Sequence, residues 1–404
     1  MSNYTDITKK GIFWNTLGGL MFGANSFIMI TVVGQLSSIE ETGYFGIAFT
    51  TAQLLYIVGL MGVNVYQMTD FNGKFGFSTY LRTRIFSCIC MCIFCLIATY
   101  MLQFKENKLI YTLLLTVIML GNALGDVYQN QFFRKKDLAK SGSALFFRTF
   151  FSLIVFIVVF YISKNLIFAL LGQIVMVFLV VGYYAKWVAP IYLLQEANVS
   201  LDDCKQLVRE CFPLFLSMFA MNVIINISRY NVDFYLDDMA QGYYSMIFIV
   251  AQGINLCVQF LFTPFLSTYS KAFEENGLSE LQNKARKQFV FIGCLTILAS
   301  LASYILGAQI LGIIYHKNLL GLKREITLLT FGGGIFAITQ LYYYIFTILR
   351  WQKLIFRIYL RSILIAFLIT SLLVKYGGLF GAVLSFVLAH IIIFVQYLRQ
   401  LNKT

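Results

Sequence analysis

The sequence predicts an all-α integral membrane protein of about 12 transmembrane helices, set out as two parallel six-helix halves around a central cavity. Three observations predict it. Of the 404 residues, 59% are hydrophobic and 12% charged, and the mean hydropathy is +0.77; a soluble globule of this length cannot hide so much apolar surface. Apolar runs of about 20 residues, the length that crosses a hydrocarbon core as helix, recur from end to end between short charged or glycine-containing breaks. Finally, GYFGIAFTTAQ at 43–53 returns as GYYSMIFIVAQ at 242–252, with Gly43/Gly242, Tyr44/Tyr243, Phe49/Phe248, Ala52/Ala251 and Gln53/Gln252 coinciding without a gap.

The apolar runs place the spans at approximately 11–35, 43–66, 84–104, 109–130, 141–163, 166–189, 212–230, 242–266, 288–315, 325–349, 353–375 and 376–397. The first is too long for a signal-peptide core and no small-residue cleavage site follows it, so it reads as a permanent span. A net charge of +13 raises the question of nucleic acid. The basic residues are spread among the connections rather than gathered on one face, so no nucleic-acid partner is expected. They concentrate instead in alternate connections, among them Lys9 and Lys10, Arg134 to Lys136 with Lys140, Lys284 to Lys287, and Lys353 with Arg357. By the positive-inside rule both termini are then cytoplasmic.

The repeated segments fall in spans two and eight, each just after a short acidic stretch, Glu40-Glu41 and Asp237-Asp238. The same offset of 199 sets Lys10 against Arg209 and Phe13 against Phe212, and the long basic connections 67–84 and 267–287 correspond. The predicted organisation is a first six-span bundle over 1–189, a cytoplasmic linker over 190–211 and a second bundle over 212–404. An even number of spans per half gives both halves the same orientation, the parallel-repeat plan in which two bundles rock around a shared site.

Several stretches resemble a known family. GQLSSIEETGYFGIAFT at 34–50 is similar to the span-two entry of the polysaccharide-exporting flippases of the multidrug/oligosaccharidyl-lipid/polysaccharide exporter superfamily. NISRYNVDFYLDDMAQGYYS at 226–245 resembles their junction of spans seven and eight, YQNQFFRKKD at 128–137 their fourth-span exit, and YGGLFGAVLSFVLA at 376–389 their last span. Each motif alone is weak; order and spacing across nearly the whole chain carry the likeness. It implies a flippase for a lipid-linked glycan repeat unit, O-antigen or capsule, in a bacterial inner membrane. The partners implied are a polyprenyl-diphosphate-linked glycan, membrane lipids, and the polysaccharide polymerase and chain-length machinery. Two positions depart from the family: Ser228 stands where an acidic partner of Arg229 is common, and Gln35 where a basic residue is frequent.

An ionisable residue inside a span is costly and reads as functional by default. Asn222, Asn226, Arg229 and Asp233 follow at i, i+4, i+7 and i+11, one helical face near the end of span seven. A guanidinium there suits a phosphate or a sugar carboxylate, which it binds bidentately; pairing with Asp233 is the competing reading. Arg148 and Asp126 lie at similar depth on neighbouring antiparallel spans. They form either a mutual ion pair or a substrate contact with an ion-coupling carboxylate, the role also open to Asp233. Lys353, Arg357 and Arg361 recur every four residues at the start of span eleven, where they receive a lipid diphosphate or snorkel to headgroups. Gln53, Gln252, Gln259 and Asn255 offer hydrogen bonds to sugar hydroxyls or to neighbouring helices.

Other features carry less. Of the eight cysteines, Cys88, Cys92 and Cys95 share a helix face while Cys90 points elsewhere, unlike the paired ligands of a thiolate metal site. No cysteine falls in an outside loop, so no disulfide framework is expected. His390 reads as a packing residue. FGGGIF at 331–336 lacks the Lys-Ser/Thr of a phosphate loop. With no cofactor, metal site or catalytic constellation expected, the reading is a transporter rather than an enzyme. The alternatives are a multidrug exporter of the same superfamily, which calls for more acidic residues in its spans, and a non-transporting component of polysaccharide assembly.

Overall fold

A computed structural model describes residues 2–70, 73–188, 190, 200–262, 266–349 and 351–401, and among these all regular structure is helical. In chain order the helices are α1 (Ser2–Leu36), α2 (Ile39–Leu60), α3 (Val63–Thr69), α4 (Phe77–Met101), α5 (Glu106–Arg134), α6 (Leu138–Ser163), α7 (Leu166–Tyr183), α8 (Leu201–Tyr235), α9 (Asp238–Phe262), α10 (Leu266–Ala302), α11 (Ala308–Tyr315), α12 (Lys323–Ile348) and α13 (Gln352–Leu401). Ten helical segments among the described residues are long and apolar enough to cross a membrane. One of them, α13, holds both of the last two expected spans, separated at Gly378, whose φ of 55° and ψ of −139° leave the helical region. Residues 191–199 of the expected linker lie outside the described residues.

Local chemistry sets the helix ends. The Asp137 side chain accepts the Lys140 amide at the start of α6, and Asn165 accepts the Ile167 amide at the start of α7, each satisfying a donor the helix leaves open. Two boundaries differ from the apolar pattern. The second span stops at Leu60 rather than continuing to 66, because Met61 and Gly62 have φ of 47° and 70°. Gly62 tolerates this left-handed turn and also passes close to α8, where a Cβ would stand 3.0 Å from the Cys211 carbonyl oxygen. The seventh span begins early: 201–211 is helix continuous with it, started by Asp202 and Asp203 and carrying Pro213 within.

The chain divides into two compact units. The first comprises Met1–Leu36 and Ala48–Phe219. Within it α1 lies close along α6, where a Cβ on Gly18 would come 2.5 Å from the Gly142 carbonyl oxygen. Near Gly62, Met61, Val63, Phe75, Phe77, Tyr80, Val127, Leu207 and Cys211 form one apolar cluster.

The second unit comprises Ser37–Ile47 and Ala220–Thr404. Its core gathers Ile224, Ile227, Ile292, Leu341, Tyr359 and Tyr397 around the buried α12. The glycines of FGGGIF let that helix sit tight: a Cβ on Gly333 would lie 2.8 Å from Ala251 Cα, and one on Gly334 would strike the Thr296 side chain. Helices in lipid gain little hydrophobic drive from meeting each other, so such close backbone approach and side-chain hydrogen bonds hold the bundle. Large apolar residues such as Phe94, Leu96, Ile162, Leu364 and Leu368 are exposed, as suits an exterior against acyl chains.

Candidate functional site

The repeated segment is explained by geometry at two levels. Ser38 Oγ accepts the Glu41 amide at 3.1 Å, and Asp237 Oδ1, 199 positions later, accepts the Ala240 amide at 2.7 Å. The acidic stretches therefore belong to matching helix caps, with Glu40, Glu41 and Asp238 in the first turns. One turn on, the two segments touch. A Cβ on Gly43 would meet the Asp238 carbonyl oxygen and stand 2.9 Å from the Gly242 nitrogen, a Cβ on Gly242 would meet the Ile39 carbonyl oxygen, and one on Gly46 would meet Ser245 Oγ. All these residues belong to the second unit. Gln53 and Gln252, further along, are half-buried, and Gln252 Oε1 and Asn255 Oδ1 have no hydrogen bond among the described residues. The side chain of Gln259 lies outside the described residues.

In the first unit the structure redraws the charge pairing. Asp126 is bonded by Arg84, not by Arg148: Arg84 Nη2 lies 3.1 Å from Asp126 Oδ2, and Asn130 Nδ2 donates to the same oxygen at 2.8 Å. Arg84 also donates to the Gly59 carbonyl at 2.8 Å, which Ser87 Oγ shares at 2.6 Å. Sequence reasoning counted Arg84 among the connection residues because the apolar run begins there; α4 starts at Phe77, so this arginine sits two turns inside a helix and is wholly buried.

Arg148 lies near Asp126 but forms no ion pair with a carboxylate among the described residues. It is 3% exposed, and its one hydrogen bond among the described residues reaches Gln129 Oε1 at 3.5 Å. Its guanidinium fills the space that Gly125 leaves empty, since a Cβ there would collide with Nη1. Tyr128 and Tyr184 complete a crevice with room for about one water. One carboxylate against two guanidiniums leaves this buried cluster cationic, a setting that complements an anion.

In the second unit Asn222, Asn226 and Arg229 form a continuous chain along α8. Asn226 Nδ2 donates to the Asn222 carbonyl at 3.0 Å and Arg229 Nη1 to Asn226 Oδ1 at 3.3 Å. The Arg229 guanidinium lies over the Phe248 ring, 4.1 Å from its centroid, and the side chain is 1% exposed. Asp233 is half-buried one turn further on. Ser228, where the resembling family commonly has an acid, shares a hydrogen bond with Ser385 at 3.0 Å, tying α8 to the last span. Asn231 accepts from Ser371 at 2.9 Å and ties α8 to the first leg of α13 as well. His390 is a packing residue: Nδ1 meets the Phe386 carbonyl oxygen at 2.8 Å, and the ring lies against Phe386 and Phe336.

The remaining candidates lie apart from these sets. Lys353, Arg357 and Arg361 are exposed on the first leg of α13. Cys88 and Cys95 are buried while Cys90 and Cys92 are partly so; among the described residues no three His, Cys, Asp or Glu side chains gather as a metal site would need. The sequence reading missed the pinning of the turn before α4. There Arg134 Nε donates to the Asp70 carbonyl at 2.8 Å and Nη2 to the Phe75 carbonyl at 2.9 Å. Burial pushes the Asp70 carboxyl up, but the Lys74 and Phe75 amides, the Tyr80 hydroxyl and Arg134 outweigh it and hold the group below its ordinary value. Nearby, Glu210 accepts from Lys74 Nζ and the Tyr66 hydroxyl, both at 2.6 Å.

Apolar spans with cations buried among them make this a multi-pass membrane protein, and its fold is shared with a solved transporter and a solved flippase. An inward-facing multidrug resistance MATE family transporter of the MOP superfamily superposes with a TM-score of 0.72 at 12% identity, covering 96% of each chain. The lipid II flippase MurJ in an inward closed conformation superposes with a TM-score of 0.70 at 16% identity, over 98% of this chain and 87% of that one. The sequence profile of the polysaccharide biosynthesis protein family matches residues 8–270, and the chain belongs to that family. A curated relative, the capsular polysaccharide biosynthesis protein CapF of Staphylococcus aureus, is 22% identical over 399 residues, 93% of this chain and 96% of the relative.

Proposed function

We propose that this protein flips a polyprenyl-diphosphate-linked oligosaccharide, the repeat unit of a surface glycan such as O-antigen or capsule, from the cytoplasmic to the outer leaflet of a bacterial inner membrane. The observation that carries the proposal is the placement of buried guanidiniums, Arg148 in one unit and Arg229 in the other, in a chain of the polysaccharide biosynthesis family. Cations inside apolar helices suit a cargo whose head is anionic and whose lipid tail needs no shelter from the bilayer. Two six-span halves, 1–189 and 212–404, with both termini cytoplasmic, would expose the head to each side in turn. A membrane potential negative inside favours outward movement of negative charge by about 2.3 kcal/mol per charge per 100 mV, so a diphosphate of about two charges gains roughly 4–5 kcal/mol. The polar amides Asn222, Asn226, Gln53 and Gln252 would serve the sugar.

Deleting the gene and quantifying surface polysaccharide beside cytoplasm-facing lipid-linked glycan tests the reading. Lost surface glycan with accumulated lipid-linked intermediate is the expected result. Unchanged glycan with altered sensitivity to cationic drugs would retire it in favour of multidrug export. Arg148→Ala, Arg229→Ala and Arg229→Lys, compared at equal protein levels, test the site; equal export in all three removes both arginines from it.

A further inference from the structure

Each unit carries a groove at the same point of its span order. In the first unit a groove of about 420 Å³ lies between α6 and α7, the fifth and sixth spans, and is lined by Phe147, Phe151, Leu179, Tyr183 and Tyr184 with no charged side chain. In the second unit a groove of about 680 Å³ lies between the two legs of α13, the eleventh and twelfth spans. Its floor is apolar, with Ile365 and Ile392, but Arg361 from one leg and Arg399 from the other converge on it, flanked by Gln396 and Gln400.

We propose that the α13 groove is a binding site for an anionic phospholipid of the surrounding bilayer, its phosphate held by Arg361 and Arg399 and an acyl chain lying along Ile365 and Ile392. Three observations favour this occupant over the lipid-linked glycan. Arg361, Leu364, Ile365 and Arg399 are exposed, and Phe367, Leu368 and Leu372 on the same leg as Arg361 are exposed with them, an apolar surface suited to acyl chains. Gln396, which lines the groove, donates from Nε2 to the buried Ser362 Oγ at 2.8 Å, so its amide ties the two legs together rather than being offered to a sugar hydroxyl. Two guanidiniums from different helices, with side-chain amides beside them, match one phosphodiester and its ester oxygens, the pattern by which basic pockets between transmembrane helices take phospholipid heads. Snorkelling alone would place cations in both grooves; the aromatic groove of the first unit, equally placed in the span order, has none along its lining.

The test uses the purified full-length protein in phosphatidylcholine nanodiscs doped with phosphatidylglycerol, with retained lipid read by mass spectrometry. Two arginines at the usual gain per basic residue give roughly thirtyfold enrichment of phosphatidylglycerol over its bulk fraction. Arg361→Gln/Arg399→Gln should return retention to the bulk fraction, Arg361→Lys/Arg399→Lys should keep most of the enrichment, and Phe151→Leu in the other groove should leave it unchanged. Bulk retention by the wild type, or undiminished enrichment in the glutamine pair, overturns the proposal. So does preferential retention of polyprenyl diphosphate when it competes with phosphatidylglycerol. Lipid retention is measured without transport, so its failure is separate from a failure of the flippase reading.

Discussion

Gly46 and Ser245, 199 positions apart in the chain, face each other so closely that a Cβ on the glycine would fall on the serine hydroxyl. The same offset relates Gly43 to Gly242, where the approach is backbone to backbone. The two contacts should differ in tolerance. Gly46→Ala meets the Ser245 hydroxyl, which can turn away, and the Ser245 Cβ at 2.8 Å, whereas Gly242→Ala meets the fixed Ile39 carbonyl. We expect Gly242→Ala to cost about 1–3 kcal/mol and Gly46→Ala clearly less, with Gly46→Ala/Ser245→Gly, which removes the Cβ as well as the hydroxyl, recovering most of the Gly46→Ala loss. Melting curves of the purified variants decide; equal losses at both glycines would contradict the geometry.

The buried and exposed ion pairs of the first unit make a second contrast. Arg84 is fully enclosed and its removal strands Asp126, so Arg84→Ala should lose about 3–5 kcal/mol, the usual cost of breaking a buried pair. Lys74→Ala removes a solvent-exposed partner of Glu210 and should leave the melting curve unchanged within error. A larger loss for Lys74→Ala than for Arg84→Ala would show that the pairing is misplaced.

Gly125 gives the Arg148 guanidinium its room. Gly125→Val should push that side chain out of its crevice and reproduce the export phenotype of Arg148→Ala without touching the arginine. Full glycan export by Gly125→Val beside defective export by Arg148→Ala would separate the two residues.

The Asp70 carboxyl, held below its ordinary pKa of 3.8, predicts an acid response. A depressed carboxylate stabilises the fold above the unfolded value, and the contribution is lost as pH falls through the folded value. Wild type should therefore be more stable than Asp70→Asn near neutrality, with the gap closing as pH drops below 3.8. Stability in detergent read across that range checks it; a constant gap would mean that the loss on substitution is not electrostatic.

Much of the fold is legible in the sequence because a bilayer leaves a chain few options: apolar length marks the spans, and the repeat marks spans two and eight. What hydropathy cannot locate is a helix that begins in polar sequence. Arg84 and residues 201–211 were read as connection for that reason, and both proved helical. The missed Arg84–Asp126 pair followed directly, since Arg148 was the charged neighbour that the expected spans supplied. The arginine at 134 lay inside a motif quoted for its family likeness, yet only the fold reveals that it clasps the turn at Asp70. Asn226 and Arg229 were readable because helical spacing alone brings them together.

Helix α8 has a consequence for how the chain is made. Its residues 201–219 pack within the first unit and 220–235 within the second, while 37–47, translated early, pack within the second. As the ribosome delivers the chain, the first unit cannot close until its seventh apolar helix has been synthesised, and the segment at 37–47 must wait for partners more than 180 residues downstream. A chain released at the natural-looking cut between the sixth and seventh spans would leave the insertion machinery incomplete on one side and bereft of its early segment's partners on the other.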